Sequence, residues 1–212
     1  MIALACLLLL ADTPLTLTAT DDKPPALSAE LAKSLDANGL RVSVGDDPAM
    51  TFWFRTTLPA TATAAQVRNG LTYRELAEGS FVGVVSFARP FTDYRKQEIV
   101  AGDYTLRLGV QPDIGDHAGT APHPDFLMLL PLADDTSLYP LDGKTLLKLS
   151  AKVTGDHPGV MLLYPHPAKV AGPRLATKPG VSLLTLTRAL TTDDGPATLG
   201  VALVVRGHSA TR

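Results

Sequence analysis

Alternating apolar and polar residues recur along this chain and predict a fold built mainly from β-strands. In LRVSVG and YTLRLGV every second residue is apolar, which is the two-residue period of a strand with one buried face. The runs SFVGVVSFA and DFLMLLPLA are almost continuously apolar, as in strands that are buried on both faces. Three further runs, GVMLLYP, GVSLLTLTRAL and TLGVALVVR, predict the last strands, with an Asp-Gly hairpin turn before the final one.

The same pattern predicts one or two short helices. Leu27, Leu31 and Leu35 recur every four residues in ALSAELAKSLDANG, and Ser28 can cap the start of this helix. Residues 145–153, TLLKLSAKV, alternate like a strand but have the Leu, Lys and Ala content of a helix, so both assignments remain open. The small polar segment PATATAAQVRNG is interpreted as a loop or short linker.

The number of strands and the length of their connections together indicate the fold class. The pattern gives about nine or ten short strands, and the segments between them are too short for regular helical crossovers. We therefore predict a mainly β fold, either an antiparallel β-sandwich or a partly open barrel, rather than a parallel α/β sheet.

The N-terminal segment predicts export. Ile2 to Ala11 is an apolar run that is too short to span a bilayer but suits a signal peptide, so residues 1–11 are assigned to one. Residues 12–212 then form a single β-rich domain, in which 12–39 is an N-terminal extension with a short helix. Cys6 lies inside the apolar run, and removal of the signal peptide leaves a mature chain without cysteine. We expect a protein of the periplasm, cell envelope or extracellular space, with no membrane span in the mature chain.

Composition and charge narrow the classes of function. The apolar fraction is 45% and the net charge is −2, which fits a globular core but gives no basic surface for nucleic acid. Aromatic residues make up only 6%, and Trp53 lies in a dense apolar strand, which disfavours a carbohydrate-binding platform. The sequence contains no Gly-rich phosphate loop, nucleophile elbow or zinc-protease helix motif.

Two similar motifs, GDHAG and GDHPG, and the stretch PHPDF that follows the first of them supply the candidate metal ligands. Histidine and carboxylate side chains together suit zinc or another divalent ion. The candidate ligands are Asp116, His117, His123, Asp125 and His157. The alternative interpretation is turn chemistry, in which the aspartates accept backbone N–H bonds between flexible glycines.

A second set of charged residues predicts an anion-binding patch. Asp93, Arg95 and Arg107 form this set, with Lys96 beside them. The alternative is a polar face in which an arginine pairs with a carboxylate. Ser86 and Ser150 lie in strand-like context, but no elbow or oxyanion-loop sequence supports a catalytic triad.

One stretch of the chain resembles known proteins. The stretch has a strand ending in YTLR, a GDH-G turn, and DF opening the next strand, with FWFRTTLP upstream. This arrangement resembles a group of exported bacterial proteins of unknown function, over about Leu40 to Pro165. The resemblance implies a β-sandwich-like domain in the cell envelope, and it implies no substrate, cofactor or catalytic residue.

These observations predict a non-enzymatic binding or structural protein of the cell envelope. Its partner would be an envelope protein or a small ligand, and it would need no cofactor. The alternative is a metal-binding protein or metal-dependent hydrolase that uses the two GDH loops to hold a divalent ion such as zinc.

Overall fold

A computed structural model describes residues 13–111, 121–167 and 170–208, and these fold into one large curled sheet with a small sheet beside it. The strands of the large sheet are β1 (Leu15–Thr20), β2 (Gly39–Val44), β3 (Asp47–Phe54), β4 (Thr57–Pro59), β5 (Phe81–Phe87), β8 (Gly102–Val110), β9 (Asp125–Pro131), β10 (Val160–Tyr164), β11 (Arg174–Lys178), β12 (Val181–Thr192) and β13 (Gly195–Arg206). The small sheet is the hairpin of β6 (Phe91–Thr92) and β7 (Glu98–Ile99). The helices are α1 (Ala29–Ser34), α2 (Ala64–Asn69) and α3 (Gly143–Thr154).

The sheet is almost entirely antiparallel and curls into a half-barrel. Its strand order is β1-β2-β3-β5-β8-β9-β10-β13-β12-β11. The exception to antiparallel pairing is β4, which follows β3 directly and pairs parallel with β12 near the other end of this path. The predicted mainly β, antiparallel fold is therefore confirmed, in the partly open barrel arrangement. Among the described residues, no helix has the length and apolar character needed to cross a membrane.

The inner face of the curled sheet holds the main core. Alternate residues of each strand point inward, so Leu106 and Leu108 of β8 meet Leu127 and Leu129 of β9. These side chains are at most 1% exposed. Burying side chains of this size stabilises the fold by about 1.5–3 kcal/mol each.

Two helices cover parts of the outer face. Leu31 of α1 packs with Trp53 of β3 and Phe81 of β5. Leu146 of α3 packs with Met128 of β9 and other outward residues of β9 and β10. The nearly continuous apolar runs of β5 and β9 thus have both faces buried, as their patterns predict.

Residues 145–153, which the sequence pattern leaves undecided between strand and helix, belong to the helix α3. Asp142 caps the start of α3 by accepting a hydrogen bond from Thr145 N, and Gly155 ends the helix in the left-handed conformation at φ 90°. The loop interpretation of PATATAAQVRNG is wrong in its second half, because α2 forms there. Thr63 and Gln66 make a reciprocal capping box at its start, which offsets the weak apolar pattern.

The described part of segment 12–39 contributes the strand β1 and the helix α1 to the main fold. β1 pairs antiparallel with β2 from Leu15 opposite Val44 to Thr20 opposite Gly39. Arg206 of β13 also donates a hydrogen bond to the carbonyl oxygen of Thr13, 2.7 Å away. This segment therefore joins the sheet at its edge.

Candidate functional site

A cavity of about 400 Å³ opens on the outer face of the sheet, beside the first two turns of α3. This volume lies within the range of roughly 300–1,000 Å³ that is typical of small-molecule sites. Its lining is mostly apolar and is built from β9, β10 and α3: Phe126, Met128, Val160, Leu162, Leu146 and Leu147.

Strand alternation explains the apolar floor of the cavity. Leu127 points into the core, so its neighbours Phe126 and Met128 point outward toward α3. The neighbouring strand offers Gly109 at this position. A Cβ there would lie 2.7 Å from the ring of Phe126 and 2.9 Å from Met128. The missing side chain therefore lets the floor residues lie directly against the backbone of β8.

The β6–β7 hairpin forms one wall, and the carboxylate of Asp93 fixes its shape. Asp93 is fully buried and accepts hydrogen bonds from the backbone N–H groups of Arg95 and Gln97, at 2.8 and 2.9 Å. Its other oxygen accepts from Gln97 Nε2, which also donates to the carbonyl oxygen of Pro158. Burial raises the pKa of Asp93, and these hydrogen bonds oppose that shift. The hairpin is thus attached to the turn that carries His157.

Polar and charged side chains lie on opposite walls of the cavity. Arg95 and His157 line the wall beside β10. Glu78 lines the wall beside β8, where its carboxylate accepts a hydrogen bond from Val110 N at 3.4 Å. Because β9 lies between β8 and β10, these two outer strands are about 10 Å apart. The site therefore combines an apolar floor with a few polar groups at its rim.

The structure divides the predicted anion-binding set. Asp93 shapes the hairpin, and Arg95 lies at the rim of the cavity. Arg107, in contrast, is fully buried on the outer face of β8 and forms an ion pair with Asp135. The paired arginine was the alternative interpretation for this set.

Arg107 donates hydrogen bonds to one carboxylate and to three backbone carbonyl groups. Its Nε and Nη2 atoms donate to the two carboxylate oxygens of Asp135, at 2.6 and 2.7 Å. It also donates to the carbonyl oxygens of Gly79, Ser137 and Tyr139. Arg107 therefore anchors the segment between β9 and α3.

The predicted metal ligands lie in several places. Asp116 and His117 fall outside the described residues. His123 packs edge-on against the ring of Tyr164, with 4.5 Å between ring centroids, and Asp125 lies 3.4 Å from Arg74. Among the described residues, no group of three or more histidine, cysteine or acidic side chains is placed to hold a metal ion.

His157 belongs to the cavity rather than to the surroundings of His123. It lies in the turn after α3, and its imidazole is 3.4 Å from the carboxylate of Asp156. The structure therefore brings His157 together with Arg95, although the sequence placed the two residues in different candidate sites.

The sequence interpretation missed the residues that form most of the site. The floor residues Met128, Val160 and Leu162 have the same apolar character as core residues on the same strands. The sequence feature that could have indicated this floor is the nearly continuous apolar run of β9, which predicts that both faces of the strand are covered. Such a pattern requires a cover on the outer face, and a cavity remains between the strands and the cover that α3 and the hairpin supply.

Comparisons with known proteins add no further information about the site. No family model matches the chain, and neither a curated protein nor a solved structure has significant similarity to it.

Proposed function

We propose that this protein is a non-enzymatic binding protein of the cell envelope, and that its ligand has an apolar body that fills the cavity over β9 and β10. The observation that carries this proposal is the cavity itself, with its apolar floor and charged rim. Such a combination is the usual form of a small-molecule site.

The volume and the lining restrict the ligand. At roughly 30 Å³ for each water-sized atom or group, a cavity of about 400 Å³ holds about a dozen non-hydrogen atoms. Among the described lining residues there is no serine, threonine or cysteine, so the site offers no such nucleophile for covalent catalysis. These features favour binding over chemistry.

Binding of a neutral apolar dye tests the proposal. 1-Naphthylamine, whose size matches the volume of the cavity, should bind the purified protein saturably with a stoichiometry of one, with a rise in dye fluorescence. Leu147 lines the cavity but is 54% exposed, so Leu147→Trp should fill the cavity without disturbing the core. We expect this variant to bind the dye at least about tenfold more weakly, which corresponds to about 1.4 kcal/mol.

The matched control is Lys148→Trp, at the next position of α3, where the side chain is exposed and does not line the cavity. This variant should bind the dye as the wild-type protein does. Absence of saturable binding, or the same loss of affinity in both variants, would contradict the proposal.

A further inference from the structure

A patch of basic side chains lies beside the cavity on the outer face of the sheet. Arg174 and Lys178 are exposed residues of β11, and β11 follows β12 at the end of the strand path. The ammonium group of Lys178 lies 5.2 Å from the ring centroid of Tyr164, which also contacts His123. We call Arg174, Lys178, His123 and His166 the cationic patch.

The two permanent cations of the patch have no carboxylate partner in the part of the chain that the structure describes. Within the part of the chain that the structure describes, neither Arg174 nor Lys178 forms an ion pair with a carboxylate. Asp125, the acidic group that acts on His123, is itself close to Arg74. Among the described residues, Arg174 and Lys178 are thus cations without a carboxylate partner.

The two histidines supply neutral hydrogen-bonding groups. Burial lowers the pKa of His166, as do the nearby Arg174 and Lys178, and burial with Lys178 also lowers the pKa of His123. The Nε2 atom of His166 is buried and has no hydrogen-bond partner among the described residues. A buried ring nitrogen without a partner is uncommon in a folded protein, and a polar group of a ligand at this position would satisfy it.

The cationic patch is continuous with the cavity. Leu162, Tyr94 and Ala121 line the cavity, and they also belong to the apolar cluster that contains Tyr164. Tyr164 is the residue that contacts Lys178 and His123. A single ligand can therefore lie in the cavity and reach the patch past Tyr94 and Tyr164.

We propose that the cationic patch binds the anionic head group of an amphiphilic ligand, whose apolar tail occupies the cavity. The head group is a carboxylate or a phosphate, because both accept hydrogen bonds and ion pairs from arginine and lysine. The tail is a chain of roughly ten carbon atoms, which matches the volume of the cavity. This inference rests on the proposed function, since it specifies the ligand of the same site.

The position of Glu78 agrees with a ligand whose head group lies at the cationic patch. Glu78 lies beside β8, whereas Arg95 and His157 line the wall toward β10, which is also the side of the cationic patch. An anionic head group is repelled by Glu78 and attracted by Arg95, Arg174 and Lys178. The charges of the site therefore favour one direction of the ligand.

Two probes that differ only in the head group test the inference. Decanoate carries a carboxylate and decanol carries a neutral hydroxyl, and titration calorimetry with the full chain at pH 7 and low salt measures both affinities. We expect decanoate to bind more tightly than decanol. Raising the ionic strength should weaken the binding of decanoate and leave that of decanol unchanged.

Charge reversal locates the head group. Lys178→Glu and Arg174→Glu should each weaken decanoate binding by about tenfold, because each replaces an attraction with a repulsion, and should leave decanol binding within about twofold. Lys33→Glu is the matched control, since Lys33 is an exposed residue of α1, which covers a different part of the sheet. This control should leave the binding of both probes unchanged.

The outcomes separate the two proposals. If both probes bind, Leu147→Trp weakens both, and Lys178→Glu changes neither, the head-group assignment is wrong and the cavity remains a binding site. If neither probe binds, the proposed function fails, and the head-group assignment fails with it. If inorganic phosphate alone binds the patch and neither Leu147→Trp nor an added decyl chain changes that affinity, the patch is a site for free anions and the amphiphile assignment is overturned.

Discussion

The buried ion pair of Arg107 and Asp135 should stabilise the fold strongly against loss of one partner. Asp135→Asn keeps the shape of the side chain but removes the negative charge. The side chains of Arg107 and Asp135 are 0% and 1% exposed, so water cannot replace the missing carboxylate. Breaking a pair of this kind costs about 3–5 kcal/mol, because it leaves a buried charge without compensation.

The cost of breaking this buried pair can be compared with the cost of breaking a neighbouring ion pair on the surface. Asp134 lies next to Asp135 in the chain and pairs with Lys152 at 2.9 Å, but the two side chains are 38% and 49% exposed. Removal of such a pair costs roughly 0–1 kcal/mol. Asp134→Asn is therefore a matched control with the same chemical change in an exposed setting.

Urea unfolding monitored by circular dichroism measures both variants. We expect Asp135→Asn to lower the free energy of unfolding by about 3 kcal/mol or more and Asp134→Asn by less than about 1 kcal/mol. For a chain of this size, the first change lowers the melting temperature by roughly 6–12 °C. Equal losses in the two variants would refute the argument that burial makes the pair important.

Three further predictions concern the hairpin, the close approaches at glycine and the histidines. Asp93→Asn places an amide NH2 group where one carboxylate oxygen now accepts a hydrogen bond from Gln97, so the free energy of unfolding in urea should fall by about 1–3 kcal/mol. An unchanged unfolding midpoint would contradict this. Gly200→Ala should destabilise the fold by about 1–3 kcal/mol, since the new Cβ would lie 2.2 Å from the carbonyl oxygen of Pro167. Gly143→Ala, at the start of α3, should instead stabilise the fold by about 0.5–1 kcal/mol, since the nearest neighbour of its Cβ is a side-chain oxygen 4.0 Å away. The pKa values of His123 and His166 lie below the ordinary value of 6.5, so as pH falls through 6.5 the unfolded chain binds more protons and stability decreases. Replacing both histidines with glutamine should reduce the fall in melting temperature between pH 7 and pH 5. A fall equal to that of the wild-type protein would disprove the claim that these two histidines cause it.

Most of the fold could be predicted from the sequence, because the alternation of apolar residues is imposed by the geometry of a strand. Residues 145–153 could not be assigned, since their alternation and their composition predict different structures. The deciding features lie outside the segment, in the capping side chain of Asp142 and the left-handed Gly155. The position of β10 between β9 and β13 depends on contacts between distant parts of the chain, which no local pattern encodes.

The candidate site could be predicted only in fragments. Arg95 and His157 were recognised as functional candidates, but they line the same cavity because Gln97 donates a hydrogen bond to the carbonyl oxygen of Pro158. Arg107 has the same sequence context as a surface arginine, and only the chain reversal after β9 places Asp135 against it. The floor of the cavity could not be separated from the core, because burial by a helix and burial by a ligand require the same apolar residues.

Chemical shifts of side-chain methyl groups test the binding site most directly. On addition of decanoate to the full chain, we predict shifts and intermolecular Overhauser effects at outward methyl groups that line the cavity, those of Met128, Val160 and Leu162. The inward methyl groups of Leu129 and Leu163, on the same two strands, should remain unchanged because they belong to the main core. Perturbation of the inward groups, or no effect at the outward ones, would contradict the account.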